Sequence, residues 1–522
     1  MARNLLNRSY EILGLDQKIW AKLETGGYGE NSTSGLPTAS DAIEHISFNS
    51  KFEIPRENSA GRSGRSVAVR LSGKKQAEMS LESYIIANAP DALGQPTLPP
   101  LHAFFLSAFG NVDLSDPTKI VYKLSALSDK SIKIIEEATH YSRVIHGAVV
   151  ETATWTLAGD GKAMFKAEGF AQDVYVAGES NLAQATTGAA QTATAVIQDL
   201  TYTAQVAGSS GNLITINYIG GGTAGSEVVA VTGTNIVVQI ENGVSTAQDI
   251  KNAIDGFPAA NALVSVSITG LATNTQNTLT SAVHLSGGLN ANEIKVALST
   301  GELFEVGSYI DIIDETDGNT TYLTAAKVIG RGTGVNKDIL ALNVPAVPAI
   351  ASNRIVIGHA PATYQPTSSE NALVGLKGSV TFAGFPTLAC EVISAEITLT
   401  NNFTKKDFLY GTSKSCGYIP DKRREVKLKL SVLLTKDNFA LYMRNKQFIA
   451  EDIKITLEPQ DIPAPQYTSS QGRTFEFHFP KVEFNVPPIE QPSDKYVTLE
   501  LEGIAMATDL NNLDSEFTLT IK

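Results

Sequence analysis

Cysteine is nearly missing. Of 522 residues only Cys390 and Cys416 are cysteines, which excludes a disulfide scaffold and a Cys-based zinc site. Tryptophan occurs only as Trp20 and Trp155, read as packing residues rather than a stacking platform. No apolar run approaches the roughly 18 residues of a membrane-crossing helix. The opening MARNLLNRSYEILGL lacks an apolar core long enough for a signal peptide. Basic residues are in deficit: 41 Lys and Arg face 54 Asp and Glu, for a net charge of −13. That is a poor starting point for holding nucleic acid, whose phosphates need Lys and Arg. Charged residues are only 18%, yet 43% are hydrophobic, so the chain is globular rather than disordered. At about 150 residues per domain, three to four domains are expected, in a soluble or assembled β-rich protein.

Enzyme chemistry is equally sparse. No Walker loop, dinucleotide fingerprint, HExxH or GxSxG occurs. Gly73-Lys74 has neither the upstream Gly nor the following Ser/Thr of a phosphate loop. The histidines, His45, His102, His140, His146, His284, His359 and His478, are not spaced as ligand pairs. Asp311, Asp314 and Asp317 before Gly318 faintly suggest a calcium loop, but lack its alternate spacing and closing Glu. Cys416 lies in a basic loop with no His beside it, so it is not read as a nucleophile. The expectation is a non-enzyme with no cofactor and no metal.

What is present is alternation of period two, rich in β-branched and aromatic residues, which predicts a mainly β fold. Residues 1–44 read as an N-terminal arm. Residues 45–180 hold HISFNSKFEI, IVYKLS, AVVETATWTL and AMFKAEGFAQDVYVA as strands, with a hairpin turn at Gly159-Asp160-Gly161. LHAFFLSAFG, apolar nearly all round and ending in Gly110, predicts a short buried helix. Residues 181–195, small and uncharged, read as a linker. Residues 196–289 form a compositional island with Lys251 as the one basic residue. It reads as a small inserted α+β module whose helix TAQDIKNAIDGF is capped by Thr246 and stopped by Gly256. Residues 293–360 suggest a small β-barrel, 361–375 a second linker, and 376–522 resumed alternation.

The outer segments repeat an order: strand, long basic loop, strand, short helix, strand meander. In the last segment TKDNFALYMRN supplies the helix. Both loops are net +5 in an acidic chain. The first carries Arg56, Arg62, Arg65, Arg70, Lys74 and Lys75; the second includes Lys405, Lys406, Lys422, Arg423 and Arg424. They far exceed ordinary hairpin connections. They read either as solvated mobile loops or as arms that dock on an acidic surface of another copy.

The run HAFFLSAFG followed by GAVVETATWTLAGDGKAMFKAEGFAQDVYVAG resembles the tail tube (major tail) proteins of long-tailed bacteriophages. EVISAEITLTNNF, RREVKLKLSVLL and EGIAMATDLNNLDSEFTLTI resemble the same family again. The resemblance covers about 1–180 and 370–522, and the 196–289 module resembles add-on domains of phage tail proteins. It implies two tail-tube-type β-sandwich or barrel halves, each with a short helix, and no catalytic residues. It also implies a virion tail protein, assembled in the host bacterial cytoplasm, whose stacked rings form a conduit for DNA. With two folds per chain, three chains make a pseudo-sixfold ring. The implied partners are further copies, tail terminator, baseplate and tape measure proteins, and DNA passing through the lumen without specific binding; no membrane is involved. Arg56, Arg62, Arg65, Arg70, Lys405, Lys406, Lys422, Arg423 and Arg424 are the expected inter-ring contacts. The alternatives are a baseplate hub or secretion-tube protein of related fold, or a carbohydrate-binding adhesin suggested by the Thr/Gly-rich island.

Overall fold

The computed structural model describes residues 17–29, 35–53, 56–58, 70–72, 76–125, 130–138, 141–314, 320–352, 354–361, 363–367, 372–383, 392–406, 417–435, 447–459, 473–485, 497–508 and 515–522. Over these residues the chain is mainly β. The helix expected at TKDNFALYMRN falls almost wholly outside them, as do Arg62, Arg65, Lys74, Lys75, Cys390 and Cys416.

The body is organised on the strand Tyr141–Ala158, 18 residues long. Its first half pairs with Ile132–Ala138 and Asp173–Ala177. Its second half pairs with Met164–Ala171 and, on the other side, with Val392–Thr400. One strand therefore serves two sheets, and a register shift between Ile145 and Ala148 marks the change. Gly147 sits in that shift at φ +62, where a Cβ would lie 2.9 Å from Gln172 Cβ and 3.1 Å from Gly29 Cα. Only glycine suits such a place.

The larger sheet runs, all antiparallel, through Ser47–Glu53, Gln76–Tyr84, Met164–Ala171, Tyr141–Ala158, Val392–Thr400, Glu425–Leu433, Thr498–Ala505, Phe475–Asn485, Gln447–Pro459 and Leu373–Ala383. Bridges from Ala372 to Ile86 and from Val374 to Lys162 bring it back on itself as a closed barrel. The two outer segments thus meet edge to edge. The final strand, Thr518–Ile521, pairs with Ile120–Leu124 of the first segment.

Their core is shared as well. Trp155 is fully buried, with Phe105, Phe109, Phe165, Phe477 and Phe517 around it at ring distances of 5.3 to 6.3 Å. Phe105 and Phe109 come from the helix His102–Phe109, whose other residues are all buried apart from His102. That explains its lack of a polar stripe, and Gly110, at φ +89, ends it. Each such aromatic contributes roughly 1.5–3 kcal/mol of burial, so neither outer segment is complete without the other.

The inserted parts have cores of their own, and the first also packs Tyr309 against Trp20, Ile135 and Val144 of the body. A six-stranded sheet, in the order Glu179–Asn181, Ile355–Gly358, Tyr309–Ile313, Thr321–Arg331, Ile339–Leu342 and Glu293–Lys295, closes over Phe304, Ile310, Val328, Leu340 and Val356. The run 181–195, expected as a linker, belongs partly to this module: Asn181 pairs with Ile355 and Thr186 with Ile350. Small Ala and Thr side chains suit a strand once a partner edge is supplied, which composition alone does not reveal.

The second module is nested inside the first. It combines the sheet Thr194–Ile197, Leu200–Ala204, Val264–Ile268 with the sheet Val228–Thr232, Asn235–Ile240, Thr215–Gly220, Val283–His284. Its helix Ala247–Asp255 begins as expected, the Thr246 side chain accepting the Asp249 N–H. Gly256 is right-handed, at φ −76, and Pro258 immediately starts a further short helix, Pro258–Asn261. The stop therefore needs no left-handed glycine.

Candidate functional site

The side chains of the large sheet alternate between the Trp155 core and solvent. Leu81, Ala167, Ala153, Leu399 and Val426 lie in register and are buried. The row beside them faces outward: Ser47, Glu82, Lys166, Thr154, Thr398, Lys427, Ile504 and Glu483. A second outward row runs Tyr84, Met164, Thr156, Glu396, Lys429, Glu502 and Asn485. At about 4.8 Å per strand the first row spans roughly 34 Å across the seam between the outer segments.

The charge on this face is one-sided. Four lysines are matched by a carboxylate at the same surface: Lys51 with Glu53 at 3.2 Å, Lys166 with Glu168 at 2.6 Å, Lys427 with Glu425 at 3.2 Å and Lys429 with Glu500 at 3.2 Å. Hydrogen bonding to Glu500 raises the Lys429 ammonium above its ordinary value, and Glu168 does the same for Lys166. Glu78, Glu82, Glu396 and Glu502 make no ion pair within 4 Å among the described residues, though they lie near enough to Lys51, Lys166 and Lys429 to add to the rise of those ammonium groups. The face is therefore threonine-lined and net acidic.

The seam is held by buried polar groups. A register shift between Val150 and Thr152 interrupts the ladder. There the Val150 N–H donates to Ser107 Oγ at 3.1 Å, and Asn401 Nδ2 donates to Val150 O at 3.2 Å and Ala108 O at 3.0 Å. The first asparagine of the NNF run thus ties the last segment to the helix and strand of the first.

The expected contact cations divide. Arg56 and Arg70 lie on a short hairpin, Arg56–Asn58 with Arg70–Ser72; Arg62 and Arg65 lie outside the described residues. Lys405 is held within the chain: its Nζ donates to Ala77 O at 3.0 Å and lies 5.1 Å from the Phe170 ring centre. Arg424 is too, donating from Nη1 to Ser125 O at 2.8 Å and lying 3.7 Å from Glu516. Lys406 is half-buried, whereas Lys422 and Arg423 are exposed. Sequence reasoning missed this division because loop charge is visible in the chain and its partners are not.

No group of three or more His, Cys, Asp or Glu placed to hold a metal occurs among the described residues. Asp311 accepts from Ala325 N–H and lies 2.7 Å from His359 Nδ1, and Asp314 pairs with Arg354 at 2.9 Å. Those carboxylates are engaged by protein groups, and Asp317 lies outside the described residues. No protein-family model and no curated protein sequence matches the chain.

Proposed function

We propose that this chain is a structural subunit that assembles with copies of itself into stacked rings, the wall of a phage tail tube through which DNA passes. The observation that carries the reading is the wide outward face of the large sheet: among the described residues Glu78, Glu82, Glu396 and Glu502 lie near Lys51, Lys166 and Lys429, each of which already pairs with another carboxylate, so acid is in surplus there. A conduit for DNA must let phosphate slide without retaining it. A surplus of carboxylates repels phosphate over the ~8–10 Å screening length, and short threonines keep the surface smooth. The seam between outer segments lets one chain supply two sectors of wall, so three chains make a pseudo-sixfold ring.

The adhesin reading fares worse. Stacking sites for sugars use exposed aromatic rings, whereas Tyr202 and Tyr218 of the 196–289 module are fully buried, their hydroxyls 2.5 Å apart, and Phe257 is half-buried. In the tube reading that module decorates the outside. Negative-stain electron microscopy of the purified protein tests the proposal: rings or tubes with threefold symmetry are expected. Six chains per ring would remove the two-sector argument, and a protein that stays monomeric at all concentrations would remove the assembly itself.

A further inference from the structure

Of the stretch expected as an N-terminal arm, Lys18–Leu23 is a strand of the body, antiparallel to Ile132–Ala138, with Lys18 opposite Glu137. Residues 1–16 lie outside the described residues. Followed back from Lys18, the chain leaves the sheet at the end where Ala138 pairs with Tyr141. Gln17 shows the direction it takes. Its Nε2 donates to Phe48 O at 3.2 Å and to Glu136 Oε1 at 3.0 Å. Glu136 Oε2 in turn accepts from Ser50 Oγ at 3.1 Å and lies 3.7 Å from Arg143.

Ser50, Tyr141 and Arg143 line a cleft of about 1170 Å³ between the body and the first inserted module. Gln17, the first described residue, therefore stands one side chain away from that cleft. The strand Ser47–Glu53 borders it through Ser50, Lys51 and Phe52. Among the described residues this strand pairs on one side only, with Gln76–Tyr84. Such an edge is a template for a further strand, and proteins usually cover it. Apolar groups stand beside it: Phe52 is 38% exposed, and Leu303 on the module wall is 48% exposed. The cations of the body wall are engaged, Lys51 by Glu53 and Arg143 by Glu136. On the module wall Glu302 is exposed and makes no ion pair among the described residues.

The segment that leaves at Gln17 suits this place. MARNLLNRSYEILGLD carries Leu5, Leu6, Tyr10, Ile12, Leu13 and Leu15, with Arg3 and Arg8 as its cationic side chains. From Phe48, beside Gln17, to Phe52 is about 13 Å of strand. Leu13 lies as many residues back from Gln17, so an extended segment brings Leu15 level with Ser50 and Leu13 level with Phe52. We infer that residues 10–16 of the same chain lie in this cleft, antiparallel to Ser47–Glu53, and cover its unpaired edge. Main-chain hydrogen bonds hold an added strand of this kind, and the leucines bury the apolar groups of both walls. The segment is then a strap that ties the first inserted module to the body. The inference concerns a single chain and does not rest on self-assembly.

The test compares the full chain with two arm variants, one lacking residues 2–15 and one carrying Leu13→Asp with Leu15→Asp. Hydrogen exchange of peptides covering 47–53 and 300–305 is expected to quicken by about fivefold or more in both variants. Peptides covering the buried helix His102–Phe109 should exchange as in the wild type, which shows that the body remains folded. Position is read separately, with Cys390 and Cys416 replaced by Ser and the pair Leu13→Cys and Phe52→Cys introduced. Mild oxidation should bridge that pair within one chain, at a yield independent of protein concentration. Unchanged exchange at 47–53 and 300–305 in both arm variants overturns the inference. So does the absence of any bridge. A bridge that joins two chains, with a yield that rises with concentration, also overturns it, because the segment then docks on another copy.

Discussion

Asn401→Ala isolates the seam between the two outer segments. Asn401 is 5% exposed, and its Nδ2 serves two carbonyls, Ala108 O at 3.0 Å and Val150 O at 3.2 Å. Its own N–H donates to Glu151 O at 2.8 Å, so the backbone position is retained in the variant. Each hydrogen bond contributes about 0.5–1.5 kcal/mol net, and a buried acceptor left without a donor costs about 1–3 kcal/mol. Both carbonyls have a second lone pair, so the lower part of that range applies, and a loss of about 2–3 kcal/mol is expected. Asn401→Leu fills the space but supplies no donor, and should be no better. The described residues form several cores, three of them large, and the chain will not unfold in one step. Tryptophan fluorescence resolves this, because both tryptophans, Trp20 and Trp155, lie in the body. Urea denaturation followed by that signal should show an earlier transition of the body, where Trp155 sits in the shared core. The neighbouring Asn402 is at φ +53 and donates Nδ2 to Arg423 O at 2.7 Å, so in Asn402→Gly the relief of left-handed backbone offsets the loss of one exposed hydrogen bond and the net change should be small. A body transition that does not move in Asn401→Ala would refute the view that this side chain holds the seam.

Other outcomes follow from the same geometry. Burial depresses His102 to about 4, its Nδ1 2.8 Å from Tyr122 Oη. The unfolded chain, with His near 6.5, then binds more protons than the folded chain, so body stability should fall as pH drops from about 6.5 to about 4 and level off below. The full effect is at most about 3 kcal/mol; His102→Gln should flatten that part of a melting-versus-pH curve. Thr246→Ala removes the cap of Ala247–Asp255 and should cost about 1 kcal/mol without moving the tryptophan transition, read by circular dichroism. Replacing Glu396 and Glu502 by Lys turns the centre of the outward face cationic. Assembled tubes of that variant should retain DNA in a salt-sensitive way where wild-type tubes do not, measured by co-sedimentation. Removing 195–285 with a Gly-Gly join should leave tryptophan burial and ring formation intact; loss of all assembly with a folded chain remaining would count against peripheral placement.

Much of the fold was legible where local pattern and environment agree. The all-apolar helix at His102–Phe109, the capped helix after Thr246 and the alternation of EVKLKLSVL all appear as expected. The basic-poor island at 196–289 also coincides with a separate core. What was not legible depends on distant partners. IKIIEEA has an amphipathic pattern, yet every residue of Ile132–Ala138 is buried. Its second face is covered by the inserted module, where Ile135, Val144 and Trp20 pack with Tyr309. The seam pairing of Thr152–Ala158 with Ser394–Thr400 joins segments separated by both insertions. No local propensity encodes such a register; it follows from burying Ala153, Trp155, Ile397 and Leu399 on one side. The net acidity of the chain was legible, but the residues that gather on one outward face were not, because they emerge only once the strands are aligned.

The placement of the insertions explains how a chain of this length keeps its outer segments in one continuous sheet. Each enters and leaves through neighbouring backbone. At the outer junction the Gly358 N–H donates to Gly178 O at 3.1 Å, and a Cβ on Gly358 would lie 2.7 Å from Ala177 O. At the inner junction Thr194 bridges Ser286 and Gln191 bridges Leu289. Bridged residues are only about 4.5–5.5 Å apart between Cα atoms. An insertion of any length between such points adds little strain to the host, and its loop-closure cost grows only slowly with length. The two inserted modules are in turn fixed to each other by polar contacts rather than a shared apolar core. Asn212 Nδ2 donates to Asn336 Oδ1 at 2.9 Å, and Ser209 Oγ donates to Glu293 at 2.9 Å. Water can replace such contacts when the outer module is absent, whereas it cannot replace the aromatic contacts around Trp155. Dispensable and indispensable parts of this chain are therefore separated by the kind of surface they bury, and not by their position along the sequence.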